Sequence, residues 1–216
     1  NVLRNDVAGA TWAGDFVFCN ADSGSYNLFN TQEDATFIGI TTKNGNRGFY
    51  TLGGSFVGTK HYGSVVSYNS YTGYMDSAGK TASFLNCLFV NFYRSIYLVD
   101  GTMNFYNCVF SGFAAQVLFL NGAAGEMNAT NCIFSGNTIK QYNIVKKSAA
   151  AETAGRAINL KNCLCLGDTM SMTTGSFVYA TDLGGNIGLS TGLTNTLCGP
   201  MFRTRRNPLY VAVWVD

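Results

Sequence analysis

The sequence predicts an all-β chain wound into a right-handed, single-stranded parallel β-helix, a solenoid of about seven coils with capped ends. Three observations support this fold class. A segment built around an Asn-Cys step recurs four times. Apolar residues alternate on both sides of that step, as in strands that bury one face. Gly, Asn, Ser and Thr replace charged residues, which make up 12% of the chain, against a typical share of roughly 25%.

The repeated segment aligns without gaps in four copies, at residues 82–91, 103–112, 127–136 and 158–167. The copies that begin at 103 and 127 share Met-Asn at their start and Asn-Cys-x-Phe-Ser-Gly at their end. The Asn-Cys steps are separated by 21, 24 and 31 residues. A coil of three short strands and three bends needs about that many residues, and loops absorb the excess.

The alternation within one copy predicts where the chain bends. Met103 and Phe105 lie on one face of a strand, and Cys108 and Phe110 lie on one face of the next. The step from Phe105 to Cys108 is odd, so one residue must break the alternation. Asn107 is the natural candidate, because Asn tolerates the left-handed αL conformation.

Equivalent residues of stacked coils should form two ladders along the axis, about 4.8 Å per coil. We expect the Asn amides to hydrogen-bond along one ladder and the Cys side chains to face the core in the other. The predicted structural ladder consists of Asn86, Cys87, Asn107, Cys108, Asn131, Cys132, Asn162 and Cys163.

The seven cysteines do not read as a disulfide framework or a metal site. Their number is odd, and the spacing of two C-x-x-C pairs is missing. Stacked parallel side chains seldom have the torsion that a disulfide requires. We therefore expect reduced, buried thiols that act as small hydrophobes, and we expect no metal and no cofactor.

The N-terminal region carries a second cue to the fold. A Gly-Asp at 14–15, an apolar run at 16–19 and Gly-Ser-Tyr at 24–26 precede the apolar segment 35–40. This order resembles the opening coil of the pectate-lyase-like superfamily, and the Asn-Cys-x-Phe-Ser-Gly copies resemble repeats of bacterial and phage surface β-helices. The resemblance covers about residues 14–167. It implies the fold, but this scaffold hosts many activities.

The composition shows no break at which to divide the chain, so we expect one domain over residues 1–216. Residues 1–13 are the predicted N-terminal cap, residues 14–200 the coils, and residues 201–216 a terminal strand or a link to a further segment. The chain begins at Asn1 rather than Met, which favours a processed protein or part of a longer polypeptide.

Catalytic patterns of this scaffold are missing from the sequence. Hydrolases of the resembling superfamily carry Asn-x-Asp together with Asp-Asp and Gly-His-Gly, and this set does not occur here: Asn-x-Asp stands alone at residues 20–22, without Asp-Asp or Gly-His-Gly. Glu33 and Asp34 fall in a predicted loop, where solvated charge is the simplest interpretation. His61 is the single histidine, and we interpret it as a surface or packing residue. We therefore expect no catalytic residues.

A tyrosine-rich segment at 61–74 is the best candidate for binding. Rigid amphipathic rings among Ser, Asn and Gly are typical of adaptable binding loops, and aromatic rings with nearby amides suit sugar faces. The alternative is that these tyrosines cover a junction or a subunit interface. The candidate glycan-binding residues are Tyr62, Tyr68, Asn69, Tyr71 and Tyr74.

The predicted function is that of a non-catalytic structural or binding module of an extracellular, cell-surface or virion protein, such as a phage tail spike, fibre or decoration protein, or an adhesin. Cell-surface polysaccharide and further copies of the chain are the expected partners. The net charge of +2 argues against nucleic acid, and no apolar run predicts membrane insertion. The alternative is a polysaccharide lyase or glycoside hydrolase. Ice binding is disfavoured because a regular Thr ladder is missing.

Overall fold

The structure is a computed structural model that describes residues 3–14, 17–19, 27–43, 47–63, 71–135, 145–166 and 179–186. Within these ranges, no helix is long and apolar enough to cross a membrane. The elements, in chain order, are β1 (Leu3–Asn5), β2 (Thr11–Ala13), β3 (Val17–Cys19), β4 (Asn27–Thr31), β5 (Thr36–Ile38), β6 (Thr41–Lys43), β7 (Arg47–Thr51), β8 (Gly54–Val57), β9 (Lys60–Tyr62), β10 (Tyr71–Leu85), β11 (Leu88–Val90), β12 (Arg94–Tyr106), β13 (Val109–Ser111), β14 (Leu118–Leu120), β15 (Glu126–Thr130), β16 (Ile133–Ser135), β17 (Val145–Lys147), α1 (Ala149–Thr153), β18 (Ile158–Lys161), β19 (Leu164–Leu166) and β20 (Ala180–Asp182).

These strands pair in parallel and join into two sheets. The smaller sheet stacks seven short strands, from β3 to β19. The larger sheet has 13 strands, which fall into two halves. The long strand β10 runs through both halves and joins them. Residues 71–75 of β10 pair with β7, and residues 82–85 pair with β8. Each turn therefore passes two strand positions on the larger sheet and one on the smaller.

This architecture confirms the predicted all-β parallel solenoid, with almost no helix. It has about five turns, slightly fewer than the seven or so coils expected from the sequence. Seven strands stack in the smaller sheet, and the coils at its two ends are described only in part. The predicted N-terminal cap supplies β1 and β2, which pair with β4 and β5 at one end of the larger sheet. Residues 201–216 lie outside the described ranges.

The predicted bend at Asn107 is confirmed. Its φ is 52°, and Asn86, Asn131 and Asn162 have φ values of 54°, 53° and 51°. All four lie in the left-handed region that Asn tolerates better than most residues. The bend lets inward-facing residues continue on both sides of the corner, as the odd step from Phe105 to Cys108 required.

Glycine occupies the same corner in earlier coils. Gly58 has a φ of 60°, and its N–H donates to the Leu85 carbonyl at 2.8 Å. In the next coil the Asn86 N–H donates in the same way to Tyr106, at 2.9 Å. The corner is thus one continuous column that uses Gly first and Asn later, because both residues accept a positive φ.

Amide side chains hydrogen-bond along the axis in two places. At the corner, Asn107 Nδ2 donates to Asn86 Oδ1 at 3.3 Å. On the outside of the larger sheet, Asn128 Nδ2 donates to Asn104 Oδ1 at 3.0 Å, and Asn159 Nδ2 donates to Asn128 Oδ1 at 2.8 Å. The bond from Asn107 to Asn86 is one step of the four-membered ladder that the sequence predicted, whereas the second ladder follows from the register of β12, β15 and β18.

The cysteine column lies just inside the corner, and its four members are buried and free. The Cys108 thiol donates to the carbonyls of Phe84, at 3.4 Å, and Tyr106, at 3.3 Å. Burial raises the pKa of Cys108, with hydrogen bonds to the neighbouring Cys132 and Cys87 thiols adding to the effect. The prediction of reduced, buried thiols is confirmed for Cys87, Cys108, Cys132 and Cys163.

Stacked aromatic rings fill the interior along both sheets. On the larger sheet, Phe56 and Phe84 stack with their centroids 4.5 Å apart, and Phe84 and Phe105 with theirs 5.0 Å apart. On the smaller sheet, Phe110 stacks on Phe89 at 5.2 Å and on Phe134 at 4.9 Å. Such pairs contribute beyond the area that they bury. They also hold neighbouring coils in one register.

His61 continues the aromatic column of the smaller sheet. Its ring stacks on Phe89, with centroids 5.1 Å apart, and only 1% of the residue is exposed. Its Nδ1 lies 2.8 Å from the Thr42 hydroxyl, and its Nε2 lies 3.0 Å from the Thr59 hydroxyl. Burial lowers the pKa of His61 to about 3, so the ring is neutral. His61 is a packing residue of the core.

Candidate functional site

The tyrosine segment predicted as a binding loop is divided between the two sheets. Tyr62 ends β9 of the smaller sheet, whereas Tyr71 and Tyr74 lie in β10 of the larger one. The expectation of a single loop is therefore wrong for these three residues. Its Ser, Asn and Gly content is typical of loops, but β7 supplies a backbone partner that holds residues 71–75 as a strand. Tyr68 and Asn69 lie outside the described residues.

Tyr74 instead belongs to a row of aromatic side chains on the outside of the larger sheet. It is the register partner of Tyr50 in β7 and of Tyr97 in β12, and Tyr97 is the partner of Phe119 in β14. All four side chains are half-buried. We call Tyr50, Tyr74, Tyr97 and Phe119 the outer aromatic ladder.

The tyrosine rings of the outer aromatic ladder are stacked nearly parallel. The Tyr50 and Tyr74 centroids lie 5.4 Å apart with an interplanar angle of 11°, and those of Tyr74 and Tyr97 lie 5.4 Å apart at 10°. The Phe119 ring is nearly perpendicular to the Tyr97 ring, with an interplanar angle of 86° and centroids 5.1 Å apart. The ladder is a continuous aromatic surface across four adjacent strands.

Strand alternation explains why this row faces outward. Each member follows a fully buried neighbour: Phe49 before Tyr50 and Ile96 before Tyr97 are both 0% exposed. Gly73 precedes Tyr74, and a side chain at Gly73 would meet the Phe49 ring in the core. Successive residues of a strand point to opposite faces, so the next residue in each case lies on the outer surface.

Polar residues lie at both ends of the outer aromatic ladder. Asn30 in β4 is the register partner of Tyr50 at one end. At the other end, Lys146 in β17 is the partner of Phe119, and its Nζ lies 5.5 Å from the Phe119 ring centroid. This distance fits a cation–π contact, which contributes about 0.5–1 kcal/mol at an exposed site.

Sequence reasoning found Tyr74 but missed Tyr50, Tyr97 and Phe119. A signal was available, because the four aromatics are separated by 24, 23 and 22 residues, close to the intervals of the Asn-Cys steps. Each also follows Phe, Gly, Ile or Leu at an inward position. The Asn-Cys motif indicates the inner columns, whereas the outer row of aromatics has no motif of its own.

Two carboxylates lie beside the outer aromatic ladder. Asp76 is exposed, and its Oδ2 lies 3.5 Å from the Tyr74 hydroxyl, the long limit of a hydrogen bond. Asp100 in β12 is the register partner of Asp76, and its Oδ1 accepts the Gly101 N–H at 2.6 Å. The two acidic residues thus occupy neighbouring strands next to the middle of the ladder.

Other acidic residues serve as solvated or paired surface charge. The Asp34 carboxylate binds Lys80 Nζ at 3.0 Å, and this hydrogen bond and its charge raise the pKa of Lys80. Glu33 is exposed beside it. Among the described residues, no three or more His, Cys, Asp or Glu side chains form a group that could hold a metal ion. His61, bonded to two threonines in the core, is out of reach of any external substrate.

A second outer surface runs along the other half of the larger sheet. Ile38, Val57, Leu85 and Tyr106 are partners in register, and Ile38, Leu85 and Tyr106 are 41%, 38% and 41% exposed. We call these four residues the apolar column. It is less aromatic than the outer aromatic ladder and has no ring stack among the described contacts.

The parallel pairing of strands in neighbouring coils establishes the fold, and comparisons with known proteins add no family to it. Searches against protein-family models, curated proteins and solved structures each found no match.

Proposed function

We propose that this chain is a non-catalytic β-solenoid module of an extracellular, cell-surface or virion protein, and that it binds a glycan along the outer aromatic ladder. A phage tail spike, fibre or decoration protein, or a bacterial adhesin, is the kind of protein in which such a module serves. The resemblance to pectate-lyase-like and surface β-helices is part of this proposal.

The outer aromatic ladder is the observation that carries the proposal. Three tyrosines and Phe119 lie half-exposed on one surface with regular spacing. Aromatic rings with a polar edge provide contact area and hydrogen bonds at low entropic cost, which is why Tyr is enriched at recognition surfaces. A core does not need these rings, because the inner columns of Phe already fill it.

The rigidity of the scaffold supports a binding role. The ladder residues are held by backbone pairing to a strand on either side, and their neighbours Phe49, Ile96 and Leu118 are fully buried. A preformed surface loses little conformational entropy when a ligand binds. This favours recognition of a repetitive polymer by a repetitive surface.

A panel of soluble polysaccharides tests the proposal. We expect at least one to retard the protein in affinity electrophoresis, without new reducing ends or unsaturated products. The variant Tyr74→Ala/Tyr97→Ala should lose the retardation, and Tyr62→Ala in β9 of the smaller sheet is the matched control. Absence of binding to the whole panel, or equal binding by the double variant, contradicts the proposed function.

One observation favours a second candidate, a polysaccharide lyase or glycoside hydrolase. Asp76 and Asp100 are partners on adjacent strands beside Tyr74, and glycoside hydrolysis uses two carboxyls about 5–10 Å apart. If the panel assay yields cleavage products, Asp76→Asn and Asp100→Asn should each abolish them. Cleavage that survives both substitutions would place catalysis elsewhere.

We also propose that the chain assembles with further copies of itself. The apolar column offers exposed side chains at regular spacing on a different half of the sheet from the ladder. Light scattering should then give a mass above that of one 23.3 kDa chain, and Leu85→Ser should lower it. A monomeric mass for the unaltered protein contradicts this part.

A further inference from the structure

We infer that the outer aromatic ladder takes a neutral, extended glycan lying parallel to the solenoid axis, and that it binds through the hydroxyl edges of Tyr50, Tyr74 and Tyr97 rather than by stacking sugars on ring faces. This inference rests on the proposed glycan-binding function. It names the ligand class and the chemical groups that recognise it.

The ring faces are already occupied by one another. Tyr74 has Tyr50 on one face and Tyr97 on the other, both at 5.4 Å between centroids and within 11° of parallel. No sugar fits between rings at that separation. At the far end, Phe119 covers Tyr97 edge-on, and Lys146 lies over Phe119. A pyranose therefore cannot lie flat on the ring of Tyr74 or Tyr97, because neither ring has an open face.

The hydroxyl of Tyr74 lies on the outer side of the sheet. The Tyr74 hydroxyl meets the exposed Asp76 carboxylate at 3.5 Å, outside the sheet. Tyr50 and Tyr97 stack nearly parallel to Tyr74 and share its register, and a common side-chain rotamer would place their hydroxyls along the same line. A phenol hydroxyl both donates and accepts, which matches the hydroxyl groups of a sugar.

The direction and length of the ligand follow from the stacking. Adjacent strands are about 4.8 Å apart, so the three hydroxyls span about 10 Å along the solenoid axis. Only a chain that runs parallel to the axis reaches all three at once. A single sugar reaches one or two, so affinity should rise with chain length until the ligand covers the three tyrosines.

The charges beside the hydroxyls favour a neutral ligand. Asp76 and Asp100 lie next to the middle of the ladder, and their carboxylates repel an acidic polysaccharide. Lys146 lies at the far end, where its ammonium faces the Phe119 ring. The middle of the outer aromatic ladder, at Tyr74, therefore disfavours the binding of uronic acids and sulfated sugars.

Replacing Tyr by Phe removes only the hydroxyl and keeps the ring stack, which separates the two binding modes. The probes are neutral xylan, mannan, hydroxyethyl cellulose and dextran, with pectate and hyaluronan as acidic counterparts, in affinity electrophoresis of the full chain. We expect a neutral probe to bind. Tyr74→Phe and Tyr97→Phe should each weaken binding about fivefold, and the triple variant with Tyr50→Phe on the order of 100-fold.

Tyr62→Phe in β9 of the smaller sheet is the matched control, and an unchanged Tm of the Phe variants verifies the intact stack. If the triple Phe variant binds like the unaltered protein while Tyr74→Ala/Tyr97→Ala does not bind, ring faces carry recognition and the inference is overturned, although the proposed function survives. Binding of only the acidic probes also overturns it. If no probe binds, the proposed function itself fails.

Discussion

The His61 ring lies almost parallel to the Phe89 ring, with centroids 5.1 Å apart and an interplanar angle of 10°. The single histidine of the chain thus occupies a position that Phe89, Phe110 and Phe134 fill in later coils. It differs from them in having two ring nitrogens, each within hydrogen-bonding distance of a threonine hydroxyl. This placement gives the fold a specific sensitivity to acid.

We expect stability to fall as the pH drops below the ordinary His pKa. Burial lowers the folded pKa of His61 from 6.5 to about 3, so the unfolded state binds a proton first. The contribution of His61 is fully present above pH 6.5 and is lost as the pH falls toward 3. Between pH 6.5 and about 4.5 the free energy of unfolding should drop by about 2–3 kcal/mol, measured by urea denaturation.

His61→Phe is the matched control for this pH dependence. Phe fits the aromatic column, but it removes the hydrogen bonds of His61 with the Thr42 and Thr59 hydroxyls, which lowers stability at every pH. The variant should lose the slope between pH 6.5 and 4.5, because no other side chain has an ordinary pKa there. An equally steep slope in the variant would assign the effect to other groups.

Asn107→Ala should destabilise the protein by about 1–2 kcal/mol, because alanine is strained at a φ of 52°. The substitution also removes the amide that donates to Asn86. Asn107→Gly is the control, since Gly58 fills the same corner in an earlier coil. Chemical denaturation should rank the Gly variant above the Ala variant, and the reverse order would refute the role of the corner conformation.

Cys108→Ser should cost about 1–3 kcal/mol, because a hydroxyl replaces a thiol in a site shaped for sulfur. The Cys108 thiol touches two carbonyls at 3.3 and 3.4 Å, distances that the shorter Ser side chain does not reproduce. Mild reductant should leave the Tm of the unaltered protein unchanged, since the four ladder thiols are free. A large drop in Tm with reductant would mean that cysteines are cross-linked.

Gly73→Ala should destabilise the fold by about 1–3 kcal/mol or more through overpacking. A Cβ at Gly73 would overlap with Cζ of Phe49. That ring has little room to move, because it packs against His61 at 5.4 Å and Phe84 at 5.0 Å. Ser83→Ala, on the outer face of the same strand, should have little effect. Equal Tm values for the two variants would contradict the close packing of Phe49.

The inner architecture was predictable because its signals are local. The odd step from Phe105 to Cys108 required a bend, and Asn107 was the residue that tolerates one. The same reasoning missed that Gly58 continues this corner, since glycine has no side chain to form a motif. Tyr71 and Tyr74 were assigned to a loop from composition, whereas pairing with β7 decides that they are strand.

The sequence by itself determined the class of fold, the inward and outward sides of each repeat, and the reduced thiol column. These follow from the alternation of a strand and the αL tolerance of Asn, which act within a few residues. Only the tertiary structure decided that Tyr50, Tyr74, Tyr97 and Phe119 form one surface, because similar spacing along the chain does not by itself set which residues of neighbouring coils pair. Adjacency between coils depends on parallel register, and hydrogen bonds and stacked rings set that register once the solenoid is wound.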